Sequence, residues 1–459
     1  MSGLGAWFVV GCVKTRWPGP PPERGSAACV RPDWESMTSQ KHLKARIRAR
    51  MARTGERYAT ARRHEAGAAQ PVARDLGWTL RGGVHPDSAN VANALANLES
   101  PMKISEAMVL GIGGGLGAGY ILWEFAAHRG PILVIGYRYR WNYIDWTQRT
   151  LDRLGVAHRV SGTSGPAGAA AALTSTLAAG RPAIVWPDRQ LVGYWHLPSH
   201  LEAQGGHPVI VYATVDGSVR VDDRNHAPLT VDRAVLDRAR ARVSSYRNHL
   251  VVVDQAAAPD LEPLVRAGIA DCVAQLGGDS ASFAVPAWRK WARLLTDTRN
   301  AKAWPRVFAD GIGLVGALLS IWEGVEPVGS NGGHLRGLYA DFLDEAAPRL
   351  GRSGDAARSA AAAFRVAAAA WHDVAEAALP ADVPEYARLR ELTAEVAAGV
   401  AAGDDGAGAR AAASVELWSL RAEYDRKPPV EPDFAALAGR VGAVYEAELA
   451  AVDALRAVL

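Results

Sequence analysis

The sequence predicts a mixed α/β part followed by an all-α part, and three observations carry that prediction. From about Pro71 to Asp254, short Val- and Ile-rich runs bounded by Gly, Pro or charge alternate with helical stretches, the pattern of buried strands between helices. From about Asp260 alanine dominates, the β-branched runs stop and the apolar spacing takes the helical period. The 459 residues exceed one compact core, and 49% apolar against 22% charged residues is a folded composition.

The N-terminal 70 residues differ from the rest of the chain. Gly3–Val13 is apolar, but no positive residue precedes it, so the n-region of a signal peptide is missing. Pro18–Pro22 is neither helix nor strand core. Residues 1–36 are expected to be a disordered leader, with Met37 as the functional start. Lys41–Arg63 carries nine Lys and Arg against one acid, Glu56, a local balance of +8 in a chain whose total is +3. Residues 37–70 are therefore expected to form a basic helical arm, either a solvated face or a surface that meets an acidic partner or phosphate. It lacks the interleaved aromatics of single-strand binders, and the near balance of the whole chain excludes a general nucleic-acid or membrane-surface binder.

Residues 71–256 are expected to form the α/β domain. Strands are expected at Pro131–Gly136, Arg181–Trp186, Pro208–Tyr212, Val219–Val221 and His249–Val253, and helices at Ser88–Leu98, Ile144–Leu154 and Ala167–Ala179. The last three strands come close together in the chain, which favours an antiparallel sheet. Residues 257–459 are expected to form the all-α domain, with helices from Leu261–Gln275 through to Phe434–Val458 and a turn at Gly399–Gly408. The longest uncharged runs, between Arg159 and Arg181 and between Glu106 and Glu124, are too rich in Ala, Gly and Ser to supply the ~20 mostly apolar residues of a membrane span. A soluble, cytoplasmic protein is expected. The three cysteines, Cys12, Cys29 and Cys272, make neither a disulfide framework nor a CxxC metal site, and no cofactor or metal is assigned.

Three patterns carry candidate chemistry. Gly111–Gly119 (GIGGGLGAG), after Met108-Val109-Leu110 and before the helix-like YILWEF, is one. It has the glycines of a dinucleotide turn, where backbone approaches a pyrophosphate, and Arg138 would meet a 2′-phosphate. The strict spacing fails at Ala118, and a tight, close-packed connection explains the glycines equally well. The second is Gly205–Asp223. His207 opens a strand, Asp216-Gly217 makes a hairpin turn, and Asp222-Asp223 end the returning strand. A hairpin brings its outer ends together, so the imidazole meets the carboxylates. A carboxylate on His Nδ1–H would fix the tautomer of a general base. The third is Gly82–Leu95, where His85, Pro86, Asp87 and Ser88 stand at a helix start. They are good capping residues, and a helix N-terminus is also where the dipole activates a nucleophile.

The blocks GGVHPDSANVANAL, SEAMVLGIGGGLGAGYILWEF, AGRPAIVWPD and GGHPVIVYATVDGSVRVDDR, in this order and spacing, resemble the N-terminal domain of the butirosin biosynthesis protein H family. LLTDTRNAKAWPRVF and NGGHLRGLYADFLDEAA resemble the helical domain that often accompanies it. The resemblance covers roughly Pro71 to Ala347. It implies an α+β fold like papain and the bacteriocin-processing cysteine peptidases, and transfer of an aminoacyl group from a carrier-protein thioester to an amine. It implies a Cys at the helix start, a His base and an orienting acid. His207 matches the base and Asp223 the acid, but the Cys position holds Pro86, after His85. No cysteine lies between Cys29 and Cys272. Ser88 is the nearest hydroxyl and would need activation by His207, whereas direct attack of a substrate amine on the thioester needs no enzyme nucleophile.

The expected function is acyl or aminoacyl transfer in natural-product biosynthesis. The expected partners are an acyl-carrier protein and a small amine-bearing molecule or peptide, with no nucleic acid and no membrane. Catalytic candidates are His207, Asp223, Ser88 and His85; substrate-binding candidates are Asp87, Trp186, Asp188 and Tyr194. Trp141, Trp146, Trp195, Tyr137, Tyr139 and Tyr143 either line a cleft or fill the core, and Arg138 and Arg140 would meet a carrier protein. A noncatalytic binding or scaffold protein of the same fold is the alternative, and an NADP-binding oxidoreductase a distant one.

Overall fold

A computed structural model describes residues 73–123, 130–136, 143–256, 259–326 and 335–459. The leader, the basic arm, Cys12, Cys29 and the segment from Tyr137 to Trp141 lie outside the described residues, as does the Tyr143 side chain. The fold opens with a short hairpin, β1 (Ala73–Asp75) and β2 (Trp78–Leu80). Then come two helices, α1 (Pro86–Ala96) and α2 (Glu106–Ile112). Pro86 occupies the first turn of α1, where its missing N–H costs nothing, and His85 caps it by accepting the Ser88 amide on Nδ1. Ser105 caps α2 by accepting the Met108 amide.

Next are β3 (Tyr120–Trp123), β4 (Ile132–Ile135), α3 (Tyr143–Arg153), β5 (Val156–Ser161), α4 (Pro166–Ala178) and β6 (Ala183–Val185). The chain continues through β7 (Val209–Val215), β8 (Ser218–Asp222), β9 (Leu229–Asp232), α5 (Arg233–Arg242) and β10 (Leu250–Ala256). The main sheet has the order β5-β10-β6-β7-β8-β9, and every pairing in it is antiparallel. The last strand in sequence thus inserts between β5 and β6. Val209, Ile210 and Val211 of β7 are completely buried, and α1 packs against this strand. That packing sets the start of α1 beside the end of the sheet where β7 begins and β8 ends.

Beyond β10 the described residues form helices and no strand: α6 (Leu261–Leu276), α7 (Pro286–Thr296), α8 (Trp304–Val307), α9 (Leu314–Val325), α10 (Leu335–Ala346), α11 (Gly354–Ala378), α12 (Pro384–Ala401), α13 (Ala407–Tyr424) and α14 (Phe434–Arg456). Their alanines allow close contact, with α11 packed along α14 and α10. At the centre Glu448 of α14 accepts Arg336 Nε at 2.7 Å and the indole N–H groups of Trp371 and Trp288 at 2.6 and 3.3 Å. Arg336 also donates to the Gly117 carbonyl at 3.0 Å, so this buried charge pair ties the helices to the glycine-rich segment. No described helix is long and apolar enough to cross a membrane.

The structure corrects two expectations. YILW is strand β3, paired with β4 in a separate two-stranded sheet with Tyr120 opposite Ile135; its aromatic and β-branched residues follow strand preference over the helical period. The glycine run does not join a strand to a helix. Met108-Val109-Leu110 lies within α2, and the glycines come at that helix's end. A Cβ at Gly111 would collide with the Phe342 ring, and one at Gly268 with the Gly111 carbonyl. These glycines exist for contact with α6 and α10. With an antiparallel main sheet and no strand-to-helix glycine turn, the dinucleotide-binding reading falls.

Candidate active site

The hairpin β7–β8 builds the centre of the site. Asp216 and Gly217 both have positive φ, 47° and 80°, the geometry of a two-residue turn. In this register Asp222 faces Ile210, so the next residue, Asp223, lies level with the chain just before β7. His207 is held there by donating its amide to the Pro187 carbonyl at 2.8 Å, beside the Asp188–Gly206 bridge. Its Nε2 lies 2.8 Å from Asp223 Oδ1, and both residues are buried. The nitrogen that meets the carboxylate is Nε2, not the Nδ1 expected from the sequence. Nε2 carries the proton toward Asp223, so Nδ1 has the free lone pair, and it makes no hydrogen bond among the described residues.

Asp223 is held as firmly as the histidine. Oδ2 accepts the Tyr194 hydroxyl at 2.9 Å and the Trp195 indole N–H at 3.1 Å, and Arg224 lies 3.3 Å from Oδ1. The Trp195 ring meets His207 edge to face at 5.8 Å between centroids. Burial would raise the Asp223 carboxyl, but His207, Arg224 and the Tyr194 hydrogen bond outweigh it and keep the group well below the usual carboxylate range. Burial lowers His207 from its ordinary imidazole value, more than Asp223 raises it, and Arg189 and Arg224 push the same way. At neutral pH the pair is a neutral imidazole on an ionised carboxylate.

Its neighbour Asp222 is the opposite case. Burial pushes it up to about 7, even though Trp78 Nε1 donates to it at 2.9 Å and the Arg224 amide at 3.0 Å. Asn93 of α1 reaches the same carboxylate at 3.4 Å. Asp222 therefore ties β2 and α1 to β8. Arg224 comes next with φ 61°, a left-handed conformation unusual for a side-chain-bearing residue. Its NH1 donates to the Val84 carbonyl at 3.1 Å, so one guanidinium spans from Asp223 to the start of α1.

The second cluster is at that helix start. His85 Nδ1 lies 3.2 Å from Ser88 Oγ, and Asp87 Oδ2 lies 3.6 Å from His85 Nε2. Ser88 Oγ donates to Glu106 Oε1 at 3.1 Å, and the Glu106 carboxylate also accepts the Val84 and His85 amides at 2.9 and 2.7 Å. Burial raises the Glu106 carboxyl against these donors. Ser88 is wholly buried, and its hydroxyl engages His85 and Glu106 rather than His207. The expected pairing of Ser88 with His207 is not made.

The substrate-binding candidates are distributed differently. Tyr194 is a direct partner of Asp223. Asp188 accepts three backbone amides, from Gln190, Leu191 and Ala203 at 2.9, 2.8 and 2.5 Å, and so orders the loop that carries Arg189, Tyr194 and Trp195. Trp186 is buried and stacked on Tyr246. Asp87 sits in the first turn of α1, beside His85. Sequence reasoning missed Arg224, although it adjoins Asp223, and it missed Glu106, eighteen residues from Ser88, whose only local signal is its place in the first turn of α2. The one described thiol, Cys272, is buried and accepts the Leu116 amide. Glu326, His372 and Glu376 bring three ligand atoms within 4.8 Å of one another. His372 is bonded to Glu326 at 2.7 Å and Glu376 to Arg390 at 2.6 Å, so these groups already neutralise one another.

Residues 85–224, from the cap of α1 to Arg224, match the model for butirosin biosynthesis protein H, N-terminal. This region is similar to the butirosin biosynthesis protein H N-terminal family. Residues 234–402 match a domain of unknown function, DUF4872, which begins within α5, includes β10 and runs to the end of α12. Butirosin-H-like sequence thus spans both clusters, from His85 to the His207–Asp223 pair. No curated protein matches the chain.

Proposed function

We propose that this chain is an acyl- or aminoacyl-transferase of natural-product biosynthesis, with a papain-like α/β part. In this reading an amine attacks an acyl thioester on a carrier protein directly. The observation that carries it is the His207 Nε2–Asp223 Oδ1 contact of 2.8 Å, which leaves Nδ1 as the basic nitrogen of an uncharged ring. The amine nitrogen adds to the thioester carbonyl carbon while Nδ1 accepts one of its protons. The tetrahedral adduct collapses, the C–S bond breaks, and the imidazolium returns the proton to the leaving sulfur. Amide and free thiol result, and the histidine ends as it began.

Two features support direct attack over an acyl-enzyme. Pro86 stands where the resemblance places the nucleophilic cysteine, and Ser88 is sealed between His85 and Glu106. Intact-mass analysis during turnover of an acyl-carrier thioester with an amine acceptor tests the route. The expected result is amide product with the protein mass unchanged; an adduct of one acyl group, mapped to Ser88, would contradict it.

A noncatalytic binding protein is the second reading, favoured by Arg224, whose guanidinium reaches both Asp223 and the Val84 carbonyl and so occupies ground between the base and the helix start. Under it, wild-type protein forms no more amide than the uncatalysed reaction.

A further inference from the structure

A cavity of about 260 Å³ lies where the 189–197 loop and β4 meet α9, α12 and α13. It is just below the roughly 300–1,000 Å³ of drug-sized ligand sites, so its occupant is small. Leu133, Leu197, Val396 and Leu417 give it an apolar wall. Two opposite charges also line it. The Arg189 guanidinium lies 4.0 Å from the Trp195 ring centre. That side chain makes no hydrogen bond or ion pair with any described residue, and its Nε is sealed from solvent without a partner. Glu323, on α9, is half-buried and likewise has no hydrogen bond or ion pair among the described residues. Burial shifts both groups toward their uncharged forms, Arg189 down and Glu323 up, outweighing the opposite pull of Asp223 and Glu323 on Arg189 and of Arg421 and Arg189 on Glu323. Both side chains are half-buried, charge drawn part-way out of water is costly unless paired, and the two face one space without closing on each other.

We propose that this cavity binds a small zwitterion with an apolar body, of the class of the apolar α-amino acids, with Arg189 taking the carboxylate and Glu323 the ammonium. Trp195 joins the cavity to the dyad: Arg189 stacks on its ring, its edge meets His207, and its Nε1 donates to Asp223. The inference concerns binding and goes beyond the transfer reaction. If the dyad does act on acyl groups, the occupant sits one indole away from the base.

Thermal unfolding of the full chain with leucine tests it, with isocaproate, which lacks the ammonium, and isoamylamine, which lacks the carboxylate, as single-charge comparisons. Leucine is expected to raise the midpoint by roughly 2 °C or more once it is about tenfold above its dissociation constant, and the single-charge compounds by much less. Arg189→Ala is expected to abolish the leucine shift. Glu323→Gln keeps the side-chain shape and is expected to weaken leucine about tenfold by removing one charge-assisted bond. No shift with leucine, equal shifts with all three compounds, or an undiminished shift in both variants overturns the proposal. His207→Ala is expected to keep the leucine shift, so a failed transfer reaction and an empty cavity are told apart.

Discussion

Replacing His207 by alanine is expected to slow amide formation from an acyl-carrier thioester by about 10²–10⁴-fold, the range of a positioned general base. The base acts on the amine proton only as the new bond forms, so the loss should fall on the rate at saturation rather than on the Michaelis constant. Single-turnover measurements with wild-type and variant protein read this directly. The substitution leaves the Asp223 carboxylate with Tyr194, Trp195 and Arg224 still bound to it, so the site should keep its shape. A variant that forms amide at the wild-type rate would remove His207 from the chemistry.

Asp223→Asn is expected to cost on the order of 10²-fold or more in the same assay. Each Asp223 oxygen accepts from donors: His207 and Arg224 on one, Tyr194 and Trp195 on the other. An asparagine must turn an N–H toward one of these sets. Turned toward His207, it forces Nε2 to accept and moves the ring proton to Nδ1, which abolishes the base. Turned toward Tyr194 and Trp195, it opposes the donor-only indole N–H of Trp195, at a cost of about 1–3 kcal/mol for a polar group left unpaired. Asp222→Asn is the contrast. Asp222 stays protonated in the folded protein up to about 7, whereas in the unfolded chain it ionises near 3.9. The stability linked to its protonation is present in acid and lost as pH rises through about 7. Asparagine escapes that loss but sets its N–H against Trp78 and Asn93 or against the Arg224 amide, so the Asp222 variant should remain active and its stability deficit against wild type should be smaller at pH 8 than at pH 5. Equal activity loss in the two variants, by the transfer assay, would refute the separate roles given to the two carboxylates.

The dyad was legible because a hairpin is a local device. Strand alternation and an Asp-Gly turn fix the register, and register fixes which ends meet. The boundary between β10 and α6 was legible from the switch of apolar period. What stayed hidden depends on contacts distant in sequence. β10 pairs with β5 and β6, a topology that no short-range pattern announces. Glu106 reaches Ser88 only because α2 folds back onto the cap of α1. Arg189 and Glu323 come from a loop and a helix more than a hundred residues apart. The choice of His207 Nε2 over Nδ1 is a matter of how the ring turns, which residue type and spacing do not encode. The glycine run misleads for a related reason: glycine serves close packing of backbone on a ring as well as it serves a phosphate, and only Phe342 and Tyr339 decide between them.

Nitrogen-detected NMR of the His207 ring is the sharpest test, because the mechanism rests on one proton on one nitrogen. The spectrum expected is that of a neutral ring at pH 7 with the proton on Nε2, Nδ1 bare, and protonation only below the ordinary value of about 6.5. An imidazolium at pH 7, or a neutral ring with its proton on Nδ1, would contradict it.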